Sequence, residues 1–126
     1  MKLTLRFIFF LEKELYLPGN DLKELPQSIK LMESLEEVDL TNNKIRQLPE
    51  LGCLELRHLL LSNNRLDTLP YFLIFKCTKL ELLSLSNNCL WELGSNELFL
   101  SKLILSSKNL KDLTFYPQNE TSLITK

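Results

Sequence analysis

The chain has 126 residues, 44% of them apolar and 25% charged, with a formal net charge of −1. That length supports one domain with a modest core, and the balanced charge gives no global drive toward nucleic acid or an anionic membrane. Its 33 leucines and complete lack of alanine argue against an ordinary helical protein, where alanine, the best helix former, would share the apolar positions.

The first segment places Lys2 and Arg6 before a short apolar run that ends at Leu11. The run is too short for a signal peptide, Glu12, Lys13 and Glu14 follow at once, and no small-residue cleavage site is present. No stretch approaches the roughly 20 apolar residues of a membrane span. Leu3, Leu5, Phe7, Phe9 and Leu11 alternate instead, which predicts a capping strand within residues 1–11.

From Glu12 onward the chain repeats itself. Leu35-Glu36-Glu37-Val38-Asp39-Leu40-Thr41-Asn42-Asn43-Lys44-Ile45 fits L-x-x-L-x-L-x-x-N-x-L at every position. So do the segments starting at Leu56 and Leu80. An earlier copy, Glu12 to Leu22, misses only its first leucine, and a later one, Leu100 to Leu110, has Lys108 in place of Asn. After each copy comes L-x-x-L: Leu22/Leu25, Ile45/Leu48, Leu66/Leu69, Leu90/Leu93 and Leu110/Leu113. The registering positions 20, 43, 64, 88 and 108 give periods of 23, 21, 24 and 20 residues.

Over residues 12–113 the chain therefore resembles the leucine-rich repeat proteins, whose repeats run about 20–29 residues. The resemblance implies an α/β fold: a right-handed solenoid with a short parallel sheet on its concave face and convex arcs of 3₁₀ turn, short helix or irregular chain. One domain is expected over 1–126, with a cap at 1–11, five repeats at 12–114 and a tail or partial cap at 115–126. The return segment after Pro26, with Ile29, Met32 and Leu35 at intervals of three, predicts a short helix or 3₁₀ turn. It is similar to the intracellular repeats of the Ras-pathway scaffold type. The shorter return through Leu48, Leu51 and Leu54 is closer to those of protein phosphatase 1 regulatory subunits. Extracellular relatives of this class usually carry Cys-rich caps, and none is present here, so the resemblance implies an intracellular protein, cytoplasmic or nuclear.

The residues argue the same architecture independently. The x-x-L-x-L core has period two, so Leu59 and Leu61 point one way while His58, Leu60 and Ser62 point the other. Parallel strands are predicted near residues 15–17, 38–40, 59–61, 83–85 and 103–105. The turn after each strand strands backbone groups without ladder partners. An amide side chain offers both donors and an acceptor, so Asn20, Asn43, Asn64 and Asn88 are expected to form a ladder bonding backbone within and between coils. Lys108 marks the last coil as degenerate, as terminal repeats often are.

The remaining signals are weak for chemistry. Cys53, Cys77 and Cys89 are odd in number, and their spacings match no zinc or redox motif, so they read as free, mostly buried thiols in a reducing compartment. The three glycines form no phosphate loop, and no hydrolase, zincin or kinase signature appears. No cofactor or metal is expected. Asn119-Glu120-Thr121 matches a glycosylation acceptor, silent in an intracellular protein. Tyr71 and Trp91 fall in the return arcs, where aromatics are expected to plug irregular core.

These readings point to a protein-interaction module, in a regulatory or scaffold role, and not to an enzyme. The alternative is a fragment or splice product of a longer repeat protein. In a parallel stack, equivalent positions become lateral neighbours. The second motif positions, Lys13, Glu36, Arg57, Glu81 and Ser101, alternate in sign and are expected to pair across strands. Glu14, Glu37 and Asp39 then remain as an acidic patch beside Tyr16, Leu60, Leu82 and Ile104, with His58 flanked by Glu37. Exposed apolar residues rimmed by charge mark interaction surfaces. The concave face, through Glu14, Tyr16, Glu37, Asp39, His58, Leu60 and Leu82, is thus expected to bind a protein presenting basic residues next to an apolar anchor. No nucleic acid or membrane partner is expected, and poorly capped ends predict self-association.

Overall fold

The computed structural model describes residues 12–90, 110–114 and 122–125. Among them the chain winds as a solenoid, each coil contributing one strand to a single sheet. The strands are β1 (Glu14–Tyr16), β2 (Glu37–Asp39), β3 (His58–Leu60), β4 (Leu82–Ser84), β5 (Asp112–Thr114) and β6 (Ser122–Thr125), paired in sequence order. The first five run parallel; β6 returns antiparallel along β5. The fold is the expected α/β leucine-rich repeat solenoid.

Each parallel strand has one buried centre between more exposed neighbours, Leu15, Val38, Leu59 and Leu83 for β1 to β4. Register is exact: Leu15 faces Val38, Val38 faces Leu59, and Leu59 faces Leu83. The strands start one residue earlier than the pattern suggested. Pairing nevertheless runs one residue further, because Leu17, Leu40 and Leu61 donate their amides to Asp39, Leu60 and Ser84 of the next strand. The period-two alternation sends the motif leucines inward and leaves the intervening side chains on the concave face.

The arcs behave as three different sequences. Pro26 enters a 3₁₀ turn over Gln27–Leu31, which buries Ile29. The second arc has no helix. There Gly52 runs so close to the preceding coil that a Cβ would lie 2.7 Å from the carbonyl oxygens of both Lys30 and Met32, which only glycine allows. The third arc forms a single helical turn, α1 (Phe72–Phe75). The core between sheet and arcs is almost wholly Leu and Ile, with Cys53 and Cys77 inside it.

Two expectations are corrected. The strand beside β4 is Asp112–Thr114; the strand expected at residues 103–105 lies outside the described residues. Leu110 and Leu113, expected on the back of a coil, are the first leucine and the strand centre of this one, both buried. The Asn that anchors each earlier turn is missing at Lys108, and pairing against β4 takes the strand that begins after Leu110. Tyr71 is the second correction. It does not plug core: it is 62% exposed and stacks on Phe75 with ring centroids 6.3 Å apart. Residues four apart share a helix face, so α1 buries Phe72 and Leu73 and leaves Tyr71 and Phe75 outside. The capping strand expected in residues 1–11, Trp91, Ile104, Lys108 and Asn119 lie outside the described residues.

Candidate functional site on the concave face

The polar groups at the strand exits set the frame. Asn43 accepts the backbone N–H of Asn20 at 2.9 Å and of Leu22 at 3.0 Å, and donates to the carbonyls of Leu17 and Leu40 at 2.8 and 2.9 Å. Asn64 accepts from Ile45 at 3.1 Å and donates to Leu40 and Leu61. Asn88 accepts from Leu66 at 3.0 Å and donates to Leu61 and Leu85. Each amide thus joins its own strand end to the coil before it. Asn20, in the first coil, is only half-buried, and its amide donates to Pro18.

The residue before each of these asparagines has a left-handed backbone: Gly19 (φ 65°), Asn42 (59°), Asn63 (59°) and Asn87 (57°). Gly and Asn tolerate that conformation best. The Asn-Asn doublets carry this signal in plain view, and the periodicity reading passed over it.

On this frame the concave side chains line up. The second motif row is pinned by backbone: Glu36 donates its N–H to Lys13, Arg57 to Glu36, Glu81 to Arg57 and Lys111 to Glu81. Its charges pair at the ends, Lys13 with Glu36 at 3.7 Å and Glu81 with Lys111 at 3.4 Å. Lys111 occupies the position that the motif alignment gives to Ser101.

The next rows hold a continuous hydrogen-bonded chain across three strands. The Tyr16 hydroxyl on β1 donates to Glu37 Oε2 on β2. Glu37 Oε1 lies 3.0 Å from His58 Nδ1 on β3. The hydroxyl and then the imidazole hold the Glu37 carboxyl below the usual carboxylate range. The same carboxylate, reinforced by Glu14 and Asp39, pushes the Tyr16 phenol up to about 12. Asp39 accepts the Thr41 amide at 2.9 Å. Two of the three acids in the expected patch therefore already have partners.

Tyr16, Glu37, Asp39, His58, Leu60 and Leu82 ring one open hollow of about 240 Å³. Glu14 lies outside that ring, on the exposed side of β1. The volume is below the roughly 300 Å³ at which small-molecule pockets begin, and suits one protruding side chain better than a cofactor. Among the described residues no group of His, Cys, Asp and Glu is arranged to hold a metal.

The family model "Leucine rich repeat" matches residues 13–66. By its motif, its fold and that match the chain is a leucine-rich repeat protein, and such repeats are protein-interaction modules. It is 39% identical over 79 residues to human leucine-rich repeat-containing G-protein coupled receptor 6, a match covering 60% of this chain and 8% of the receptor. It is 34% identical over 112 residues to mouse lumican, covering 83% of this chain and 33% of lumican. Rat lumican matches over the same lengths. The chain thus spans a third or less of the length of these relatives. Among the described residues no helix is long and apolar enough to cross a membrane. These likenesses, one of them to a receptor, lend no support to the intracellular expectation.

Proposed function

We propose that the chain is a non-enzymatic binding module that holds a protein partner on its concave face, in a regulatory or scaffold role, through Glu14, Tyr16, Glu37, Asp39, His58, Leu60 and Leu82. The observation that carries this is the hollow ringed by six of those residues, with carboxylates on one side and leucines on the other. A basic side chain next to an apolar anchor fits both walls. The rigid sheet beneath presents the rows without loop ordering, which lowers the cost of association.

The test uses two double variants against partners captured from cell extract. Glu37→Lys with Asp39→Lys should slow association and weaken its salt dependence, whereas Leu60→Ala with Leu82→Ala should speed dissociation. If both bind like the parent while Lys30 or Lys79 substitutions on the convex side abolish binding, the site is on the back and this reading fails.

The proposal includes an intracellular location, supported by three free thiols of which two are buried. An endoglycosidase-sensitive mass at Asn119 in the native source would refute it. It also includes self-association, through residues 7–10 or the last coil; a monomeric mass by light scattering across concentration would remove that part. A second reading, a section of a longer repeat protein with little activity alone, is favoured by the 33% and 8% coverage of the relatives. An immunoblot of native cells that detects only a longer polypeptide would establish it.

A further inference from the structure

The third position before the first motif leucine is Cys53 in the second arc, ahead of Leu56, and Cys77 in the third, ahead of Leu80. Both take the same local turn: Leu56 donates its N–H to the Cys53 carbonyl and Leu80 to the Cys77 carbonyl, each at 3.3 Å. The two cysteines are therefore lateral neighbours on adjacent coils. Both are buried, at 2% and 1% exposure, and each thiol acts on the titration of the other. Ion pairs fasten the arcs on either side, Lys76 to Glu50 and Lys79 to Glu55 at 2.8 Å. Nothing in the concave-face reading uses this pair.

The setting also provides a direction of attack. Cys53 lines an open convex groove with Glu50, Gly52, Leu54, Phe75 and Lys76, and Cys77 does not. The neighbouring Cys77 thiol, with help from the Lys76 ammonium, holds the Cys53 thiol below its ordinary value; Cys53 and burial push Cys77 up. Cys53, the one of the two that lines the groove, is the better thiolate, and the thiolate is the nucleophile in disulfide exchange.

We propose that Cys53 and Cys77 are a modification site: they form an inter-coil disulfide when the chain meets a small disulfide oxidant such as oxidised glutathione, joining the second and third arcs. The Cys53 thiolate attacks one sulfur of oxidised glutathione, forming a mixed disulfide and expelling one glutathione thiolate. Cys77 then loses its proton to solvent and attacks the Cys53 sulfur, closing the protein disulfide and expelling the second glutathione thiolate. Two protein thiols are oxidised, one oxidised glutathione becomes two reduced molecules, and the two thiol protons end on the two leaving thiolates. Side-by-side placement suits the reaction, since a disulfide needs Cα atoms within about 4.4–6.8 Å, and the flanking ion pairs hold the two arcs together at these positions.

The test uses the full chain carrying Cys89→Ser, which removes the one exposed cysteine among the three. The reduced protein is incubated with oxidised glutathione, quenched with iodoacetamide and weighed by mass spectrometry. The expected result is loss of both alkylatable thiols, a monomeric chain lighter by two hydrogens, and a linked peptide pair containing Cys53 and Cys77. In the same background Cys77→Ser should stop with one glutathione on Cys53, and Cys53→Ser should leave Cys77 alkylatable. Circular dichroism checks that these variants fold, and the parent measurement stands without them. Two thiols still alkylated, a glutathione adduct that persists with both cysteines present, or a disulfide-linked dimer would each overturn the proposal.

Discussion

Asn64 Oδ1 accepts the Ile45 N–H of the preceding coil at 3.1 Å while its Nδ2 donates to the Leu61 carbonyl of its own strand at 3.0 Å. One side chain therefore closes its own turn and attaches it to its neighbour. Asn64→Ala leaves these backbone groups buried without partners and should cost about 1–3 kcal/mol for each group not rescued by water. Its neighbour Asn63 acts differently. It is exposed, with φ at 59°, and its Oδ1 accepts the Asn87 amide at 2.7 Å, so Asn63→Ala should cost about 1–2 kcal/mol from backbone strain besides the loss of that surface bond. Asn63→Gly should cost less than Asn63→Ala, since Gly19 occupies the equivalent place in the first coil. Urea melts of the three variants check the order; equal losses for Ala and Gly at 63 would remove the backbone explanation.

Gly52→Ala is expected to destabilise although it adds a single methyl. The new carbon meets two backbone oxygens at 2.7 Å, and backbone cannot swing aside as a side chain would. The cost should fall in the range of about 1–3 kcal/mol typical of overpacking. Chemical denaturation measures it, and an unchanged midpoint would mean that the first two arcs separate freely.

Leu61→Ala probes the core in the opposite sense. Leu61 is fully buried beneath the sheet, and its truncation should cost about 2–5 kcal/mol, depending on how far the neighbouring coils collapse. Leu54→Ala is the control, since Leu54 is 58% exposed on the convex side. A melt that ranks Leu54 above Leu61 would place the core on the wrong side of the arcs.

The Tyr16–Glu37–His58 chain predicts two titrations. Glu37→Gln removes the carboxylate that raises the Tyr16 phenol, so its ultraviolet titration midpoint should fall from about 12 toward 10.0. Acid behaviour follows from Glu37, Glu50 and Glu55, each held below the ordinary carboxylate value of 4.5 by a hydrogen bond, from Tyr16, Lys76 and Lys79 respectively. A depressed folded-state value means stability that is present above the unfolded value and is lost as pH falls through the folded one. The melting temperature should therefore drop as pH is lowered below about 4.5, and the Glu→Gln triple variant should show a shallower drop. Parallel curves would show that these exposed bonds contribute nothing, as many surface pairs do.

What the sequence by itself determined is the repeat. Leucines at period two within each motif must face one side, and a motif recurring every 21 to 24 residues with an Asn at the exit must stack, so the solenoid, the four strand centres Leu15, Val38, Leu59 and Leu83, and the concave rows as far as β4 were legible. Lateral rows by themselves also bring Glu37 beside His58. Three matters were decided by tertiary structure. The last strand was chosen by pairing: the motif favours the copy from Leu100 to Leu110, which misses only the Asn at Lys108, yet hydrogen bonding to β4 selected Asp112–Thr114. The outward turn of Tyr71 and Phe75 was decided by the phase of α1, a single helical turn too short to show a periodicity of its own. The meeting of Cys53 with Cys77 required the second and third arcs to align although one is irregular and the other helical. A one-dimensional pattern records which face a residue takes within its own coil. The contact it makes in the next coil depends on how far the intervening arc carries the chain, which packing settles.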